Sequence, residues 1–433
     1  MRALRSVYTS KFVRGGFLFF IITNVSNFGN LLYSMFMGRL LGPVDYGNLG
    51  ALFSLLAVFG VPLLVLSLLV IKVVTTYWGE KRFGAIKSFM RYLTPRILTI
   101  GIIGSVCLLL LTQFFTNYLA LNSFWYMAII AVLFLINVIN VEYKAVLIGM
   151  LEFNLISVNS LTEMLLKLII SVVLVMLQLR IFGALLGPVL GLLVGNLLAI
   201  IEINYILRKH PEEKIHTFSK LLVLSSFPTF LATLSLTLLV NTDIIFTNHF
   251  LPEEQAGYYV ALSNLGKIIY YLINPIISIF FPYYVSRARD WKKNLLPFVL
   301  TMSFSFICSL VIRAVFRLFP SVIVDLMFGK TYMAIIPLIS SYSFFITLYT
   351  LNAIITHFFL SISYYKPIYV LSVIPIIQSI LLWYFHQSIK EVIWINTALS
   401  VVFLVVAIGM LLQKEFQIFK KIVISMFGDI YDQ

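Results

Sequence analysis

The sequence predicts an all-α polytopic membrane protein of about twelve transmembrane helices in two pseudo-repeated six-helix lobes. Three observations predict it. Of 433 residues, 61% belong to the set AVILMFWYC and only 11% are charged, too few charges to cover a soluble surface. Apolar runs of about 18 or more residues, the length that crosses hydrocarbon, recur from Gly15 to Leu412. A shift of 210 residues pairs Phe20 with Phe230, Thr23 with Thr233, Gly47 with Gly257 and Ala51 with Ala261, in all seven identities over the 33 positions Phe20 to Leu52. Both copies read as a span, a turn ending in glycine and another span.

Span 1 (15–37) follows the basic start MRALRSVYTSKFVRGG and lacks a small-residue cleavage site, so it reads as an uncleaved first helix. Span 2 (48–76) follows a glycine-rich turn and is interrupted at Gly60-Val61-Pro62. Ahead of span 3 (95–117), Glu80 to Tyr92 alternates charged and apolar residues and reads as a helix lying in the inner headgroup layer. Span 4 (124–146) opens at Trp125, and spans 5 (155–178) and 6 (182–206) flank Arg180. The polar break Arg208 to Lys220 divides the chain into lobes 1–207 and 221–415, with 208–220 as a cytoplasmic linker. Spans 7 (221–247), 8 (257–283), 9 (296–319), 10 (334–360), 11 (366–386) and 12 (391–412) complete the set, and 416–433 reads as an amphipathic cytoplasmic tail. Pro228, Pro275 and Pro337 are expected to kink spans 7, 8 and 10. Trp78, Trp125, Trp383 and Trp394 fall at span ends, as in an aromatic belt.

The net charge of +14 would suit nucleic acid or an anionic lipid surface, and the placement of the charges decides. With the termini inside, 22 of the 31 Lys and Arg fall on the cytoplasmic side, 6 on the other, and Lys72, Lys167 and Lys267 lie within spans. This bias places both termini in the cytoplasm of a cell membrane and makes a nucleic-acid partner unnecessary; membrane lipids are the partner it implies. Cys107 and Cys308, both in apolar segments, exclude a disulfide framework or a cysteine zinc site. No GxxxxGK[ST] and no HExxH is present, and the reading is of a protein that is not an enzyme and has no cofactor.

In hydrocarbon, a polar stripe along a helix must face protein or a wet cavity. Span 5 carries Ser160, Glu163, Lys167 and Ser171 on one face; Glu163 and Lys167 are spaced as an intrahelical ion pair, which either only lets the helix insert or serves the lumen. Span 8 carries Asn264, Lys267, Tyr271, Asn274 and Ser278 at spacings of 3 and 4, with no acid one turn from Lys267. Its insertion, about 2.5–3.5 kcal/mol on translocon scales, must be offset by a distant partner, water or an anionic ligand. Asn27 lies on the polar face of span 1, and Arg14 at its cytoplasmic end is an anchor or a ligand. Asp243 on span 7 can hydrate, pair with Arg39, or bind a coupling cation.

The segment Gly38-Arg-Leu-Leu-Gly-Pro-Val-Asp-Tyr-Gly-Asn-Leu-Gly50 resembles the N-terminal signature of polysaccharide flippases of the multidrug/oligosaccharidyl-lipid/polysaccharide exporter superfamily. Asp243 to Pro282, with Ala256-Gly-Tyr-Tyr-Val-Ala-Leu, and Met327-Phe-Gly-Lys-Thr-Tyr-Met-Ala are similar to that family as well. The resemblance implies a two-lobed bundle with a cationic cavity that moves an undecaprenyl-diphosphate-linked oligosaccharide between leaflets by alternating access. It also implies coupling to Na⁺ or H⁺, and work alongside a polysaccharide polymerase and glycosyltransferases. On this reading Lys267, Lys167, Asn264, Asn274, Tyr271, Asn27 and Arg14 bind substrate, and Asp243 and Glu163 serve ion coupling. Two alternatives remain: a cation-coupled efflux transporter, which an acid-lined lumen would favour, and a membrane polymerase or ligase, which would need acceptor-binding carboxylates or a large outer loop.

Overall fold

Backbone polar groups in hydrocarbon have no water to bond, so long apolar segments satisfy them within helices. The computed structural model describes residues 2–214, 226–286 and 294–428, with side chains except at 2–21, 23, 278, 279, 281–283, 285, 286 and 415–428. Every regular element among them is helical. The first half contains α1 (Arg2–Phe59), α2 (Val61–Gly79), α3 (Phe83–Leu110), α4 (Thr112–Tyr118), α5 (Trp125–Gly149), α6 (Phe153–Leu174), a π turn (Val175–Leu179) and α7 (Arg180–Leu207). The second contains α8 (Phe227–Leu239), α9 (Thr242–Phe250), α10 (Glu253–Ser286), α11 (Leu295–Leu318), α12 (Pro320–Met327), a 3₁₀ segment (Lys330–Ile335), α13 (Ile336–Ser361), α14 (Lys366–Leu371), α15 (Ile374–Tyr384) and α16 (Ile389–Gly428).

Among the described residues, eleven segments are long and apolar enough to cross a membrane. One of them, Phe153–Leu207, is 55 residues long and holds two crossings, because the chain reverses between Gln178 (φ 67°) and Arg180 (φ 45°). The expected twelve spans are therefore all present. Their apolar faces remain uncovered by protein, as on α7, where Leu193, Leu197, Ile201 and Tyr205 are exposed; lipid is the natural cover.

Several breaks differ from those expected. Spans 1 and 2 are joined by a kink within α1, where Gly42 adopts φ 75° and ψ 174° and Pro43 restarts the helix. That backbone region is essentially closed to residues with a Cβ. Nothing lies within 4 Å of a Cβ placed there, so Gly42→Ala meets no clash and still costs about 1–3 kcal/mol in backbone strain. A lower unfolding midpoint in detergent is the expected result. Pro228 and Pro337 sit in the first turns of α8 and α13, where a missing N–H does no harm, and α10 runs on through Pro275. The break in span 7 falls at Asn241 instead, between α8 and α9. Glu80 to Tyr92 is not a separate surface helix. From Phe83 it forms the start of α3, with Ala85, Ile86 and Phe89 buried against protein. Residues Arg208 to Lys214 of the linker pack back there, Gly84 lying under the Pro211 carbonyl and Arg82 pairing with Glu213 at 3.1 Å; residues 215–220 lie outside the described residues. The tail from Phe416 continues α16 to Gly428, and its amphipathic side chains also lie outside them.

The contacts sort the chain into two compact units. The first comprises Met1–Phe230, Val240–Leu265 and Phe319–Pro337, and the second Leu231–Leu239, Gly266–Leu318 and Leu338–Gln433. The first unit thus contains the six first-half spans together with α9, the start of α10, α12 and the 3₁₀ segment. Within it Gly47 lies against the backbone of Gly257, its counterpart under the 210-residue shift.

Candidate functional site

The site in the first unit is built on the antiparallel hairpin of α6 and α7. Gly183, Gly187, Gly191 and Gly195 recur every fourth residue and form one smooth face of α7, which lets the helices close. A Cβ on Gly187 would lie 2.6 Å from the Lys167 carbonyl oxygen, and one on Gly191 would lie 2.8 Å from that of Glu163. At Gly195 the added atom would lie 2.2 Å from Glu163 Oε1, so this glycine makes the room in which the carboxylate sits. Gly195→Leu is expected to displace Glu163 and destabilise the protein by about 1–3 kcal/mol or more, read as a lower midpoint for thermal unfolding in detergent.

Glu163 is buried at 8% exposure and held from α5. Lys144 Nζ donates to Oε2 at 2.5 Å, and Asn140 Nδ2 donates to Oε1 at 2.7 Å. Asn140 also donates to Asn196 Oδ1 at 2.9 Å, and Asn196 in turn donates to the Ile136 carbonyl at 3.1 Å. The intrahelical Glu163–Lys167 pair expected from sequence is not formed. Lys167 Nζ donates to Asn30 Oδ1 of α1 at 2.9 Å and sits 4.1 Å from the centre of the Tyr33 ring, a cation–π arrangement. Tyr33 is fixed by its own bond to the Ala184 carbonyl, 2.8 Å. The two lysines thus flank a cavity of about 290 Å³ whose polar lining includes Asn30, Asn137, Ser160 and Glu163. Ser26 also lines it with a buried hydroxyl that has no hydrogen-bond partner among the described residues. Two ammonium groups against one carboxylate make the cavity cationic.

Asn137, Asn140 and Lys144 were not foreseen as site residues. Their spacings of 3 and 4 do form a stripe, but Lys144 stands near the end of span 4 and reads there as a cytoplasmic loop charge. Of the residues that were foreseen, Asn264 donates to Tyr46 Oη at 2.9 Å. Tyr46 also bonds Ser34, and its ring packs against Phe328 and Tyr332, joining both halves of the sequence within the first unit. More bonds reinforce this clasp. Asp45, buried at 2% exposure, pairs with Arg180 at 2.7 Å; Tyr332 donates to the Gly38 carbonyl at 2.9 Å; Asn248 donates to Asn48 at 3.1 Å. Asp243 is fully buried and accepts from the Tyr259 hydroxyl and the Ile244 N–H. Arg39, one of its expected partners, donates instead to the carbonyls of Asp325 and Leu326.

Asn27 is half-buried on α1, and Arg14 lies on the same helix with its side chain outside the described residues. Lys267, Tyr271 and Asn274 belong to the second unit and share one face of α10. Lys267 is buried at 9% exposure and Tyr271 is 45% exposed, beside Tyr270, whose ring is 5.2 Å from that of Tyr349. Deeper in this unit Gln378 donates to Asn396 at 2.8 Å and Asn352 to the Ser400 carbonyl at 3.0 Å, bonds that tie helices together.

Long apolar spans with polar clusters inside them define a multi-pass, all-helical membrane protein among the described residues. Residues 12–287 match the family described as polysaccharide biosynthesis protein, and the chain belongs to that family. A comparison with curated protein sequences finds no match. Among solved structures, the fold is shared with the inward-facing conformation of a multidrug resistance MATE family transporter of the MOP superfamily (TM-score 0.72, 13% identity, 91% of this chain and 94% of that one). It is shared with lipid II flippase MurJ in an inward closed conformation (TM-score 0.66, 16% identity, 91% and 87%). An outward-facing MATE family transporter scores 0.61 at 14% identity over 92% and 95%. At 13–16% identity these similarities show that the chain shares its all-α fold with these structures.

Proposed function

We propose that the protein carries a polyprenyl-diphosphate-linked oligosaccharide, the repeat unit of a surface polysaccharide, from the inner to the outer leaflet of the cell membrane. Lobes 1–207 and 221–415 alternate access about the 208–220 linker, and both termini are cytoplasmic. The observation that carries the reading is the cationic cavity of about 290 Å³ at Lys144 and Lys167. A diphosphate cannot shed its water into hydrocarbon unaided, and fixed ammonium and amide groups replace that water while the prenyl chain stays in lipid. Membership in a polysaccharide biosynthesis family supports this substrate class, and the clasp at Asp45, Tyr46 and Asn264 supports a gate that opens to the outer leaflet. With the cell interior negative, each negative charge moved outward is favoured by about 2.3 kcal/mol per 100 mV. Na⁺ or H⁺ coupling would act through Glu163 and Asp243; protonated Glu163 would release Lys144 toward the diphosphate. Polymerase and glycosyltransferases are the partners this role implies.

Lys167→Gln is expected to cut surface polysaccharide at least about tenfold, with the lipid-linked intermediate accumulating on the inner leaflet while membrane insertion is unchanged. Undiminished export would remove Lys167 from the site.

A second reading, cation-coupled efflux of small organic cations, is favoured by the buried acids Glu163 and Asp243. The excess of lysines in the cavity disfavours it, since a cationic drug would meet like charge. Loss of drug resistance with normal polysaccharide export in a deletion strain would decide for efflux. Purified protein that lengthens lipid-linked chains would decide for a polymerase.

A further inference from the structure

A second cavity, about 710 Å³, lies away from the lysine site, between the first turns of α3, Tyr143 of α5 and the last turns of α7. Its wall carries Lys87, Arg91 and Arg208 against the single acid Glu212. Arg91 holds both oxygens of Glu212, at 2.9 and 3.0 Å. Neither Lys87 nor Arg208 has an ion-pair partner among the described residues, so two of the groove's cations face its volume uncompensated. The groove continues into an apolar track: Leu193, Leu197, Ile201 and Tyr205 follow one face of α7 and are 40%, 59%, 64% and 81% exposed.

We infer that this groove binds an anionic phospholipid, its phosphodiester headgroup against Lys87 and Arg208 and an acyl chain along the α7 track. Three features select that ligand. The charge is complementary to a phosphodiester, and cations grouped between helix ends favour such a headgroup over a zwitterionic one. The volume admits a headgroup with its glycerol, and the apolar track at the groove's edge runs parallel to the helix, the direction an acyl chain takes. A free phosphate would use the cations and leave the track idle. The inference stands apart from the transport reading, since no residue of the lysine cavity takes part.

The test is native mass spectrometry of the full-length protein in detergent, titrated with phosphatidylglycerol or phosphatidylcholine. Phosphatidylglycerol adducts are expected to exceed phosphatidylcholine adducts severalfold. The double variant Lys87→Gln/Arg208→Gln is expected to bring them to the phosphatidylcholine level. Glu212→Gln, which releases Arg91 toward the groove, is expected to raise phosphatidylglycerol retention, a gain that a misfolded protein would not give. Equal binding of both lipids by the wild type overturns the inference, as do undiminished adducts in the double variant. Displacement of phosphatidylglycerol by millimolar inorganic phosphate would show a phosphate site instead, and displacement by equimolar polyprenyl diphosphate a substrate-docking site.

Discussion

Glu163→Ala will leave the Lys144 ammonium facing a cavity without its carboxylate, and Asn140 without one of its two acceptors. Breaking a buried ion pair by removing one partner costs about 3–5 kcal/mol, because the remaining charge stays desolvated. The side chain of Lys144 is 27% exposed, which lets it find some water and places the expected loss at the lower end of that range. Removing both charges, in Glu163→Met/Lys144→Met, is expected to restore most of the stability, since isosteric apolar replacement of a buried pair is often neutral. Unfolding midpoints in detergent for Glu163→Met, Lys144→Met and the double variant complete the cycle. A double variant no more stable than Glu163→Ala would show that the pair does not hold α5 to α6. If transport uses the pair, the double variant will be stable and inactive, which separates folding from function.

If the protein carries a lipid-linked oligosaccharide as proposed, Lys267→Glu is expected to abolish surface polysaccharide export and Lys267→Ala to reduce it severely, with the protein still inserted. Lys267 is the one lysine on the polar face of α10, buried at 9% exposure with Tyr271 and Asn274 one and two turns on. A cation retained at a cost of about 2.5–3.5 kcal/mol in the middle of a span is retained for a ligand or a partner. Reversal of its charge turns attraction for a diphosphate into repulsion, whereas a purely structural role predicts loss of the protein from the membrane. Export at wild-type level in Lys267→Glu would exclude the residue from the substrate path.

The crossings were legible in the sequence because hydrocarbon enforces long apolar helices, and the apolar runs declare themselves. The breaks were less so. Proline marks a missing donor but not the place where the backbone turns, so Pro228 and Pro337 lie harmlessly in first turns while span 7 breaks at Asn241, a residue with no such flag. Glu163 was legible as a charge that needs a partner, yet spacing named the wrong one. The choice between Lys167 and Lys144 depends on the packing of α5 beside α6, and on the glycine face of α7 that makes room for the carboxylate. The clasp at Tyr46 was hidden for a different reason. Asn264, Phe328 and Tyr332 are more than two hundred residues from Tyr46 in sequence, and their meeting is a property of the assembled helices.

The most direct test of the transport reading is translocation by the purified protein in liposomes. A lipid-linked oligosaccharide is loaded in both leaflets, and its exposure to a membrane-impermeant glycosidase is followed over time with and without an imposed potential. The reading predicts that wild-type vesicles expose the inner pool within minutes, that a potential driving anions toward the enzyme speeds this, and that Lys167→Gln and Lys267→Glu vesicles behave like protein-free ones. An inner pool that stays protected in wild-type vesicles, or that is exposed equally well by the two lysine variants, would contradict it.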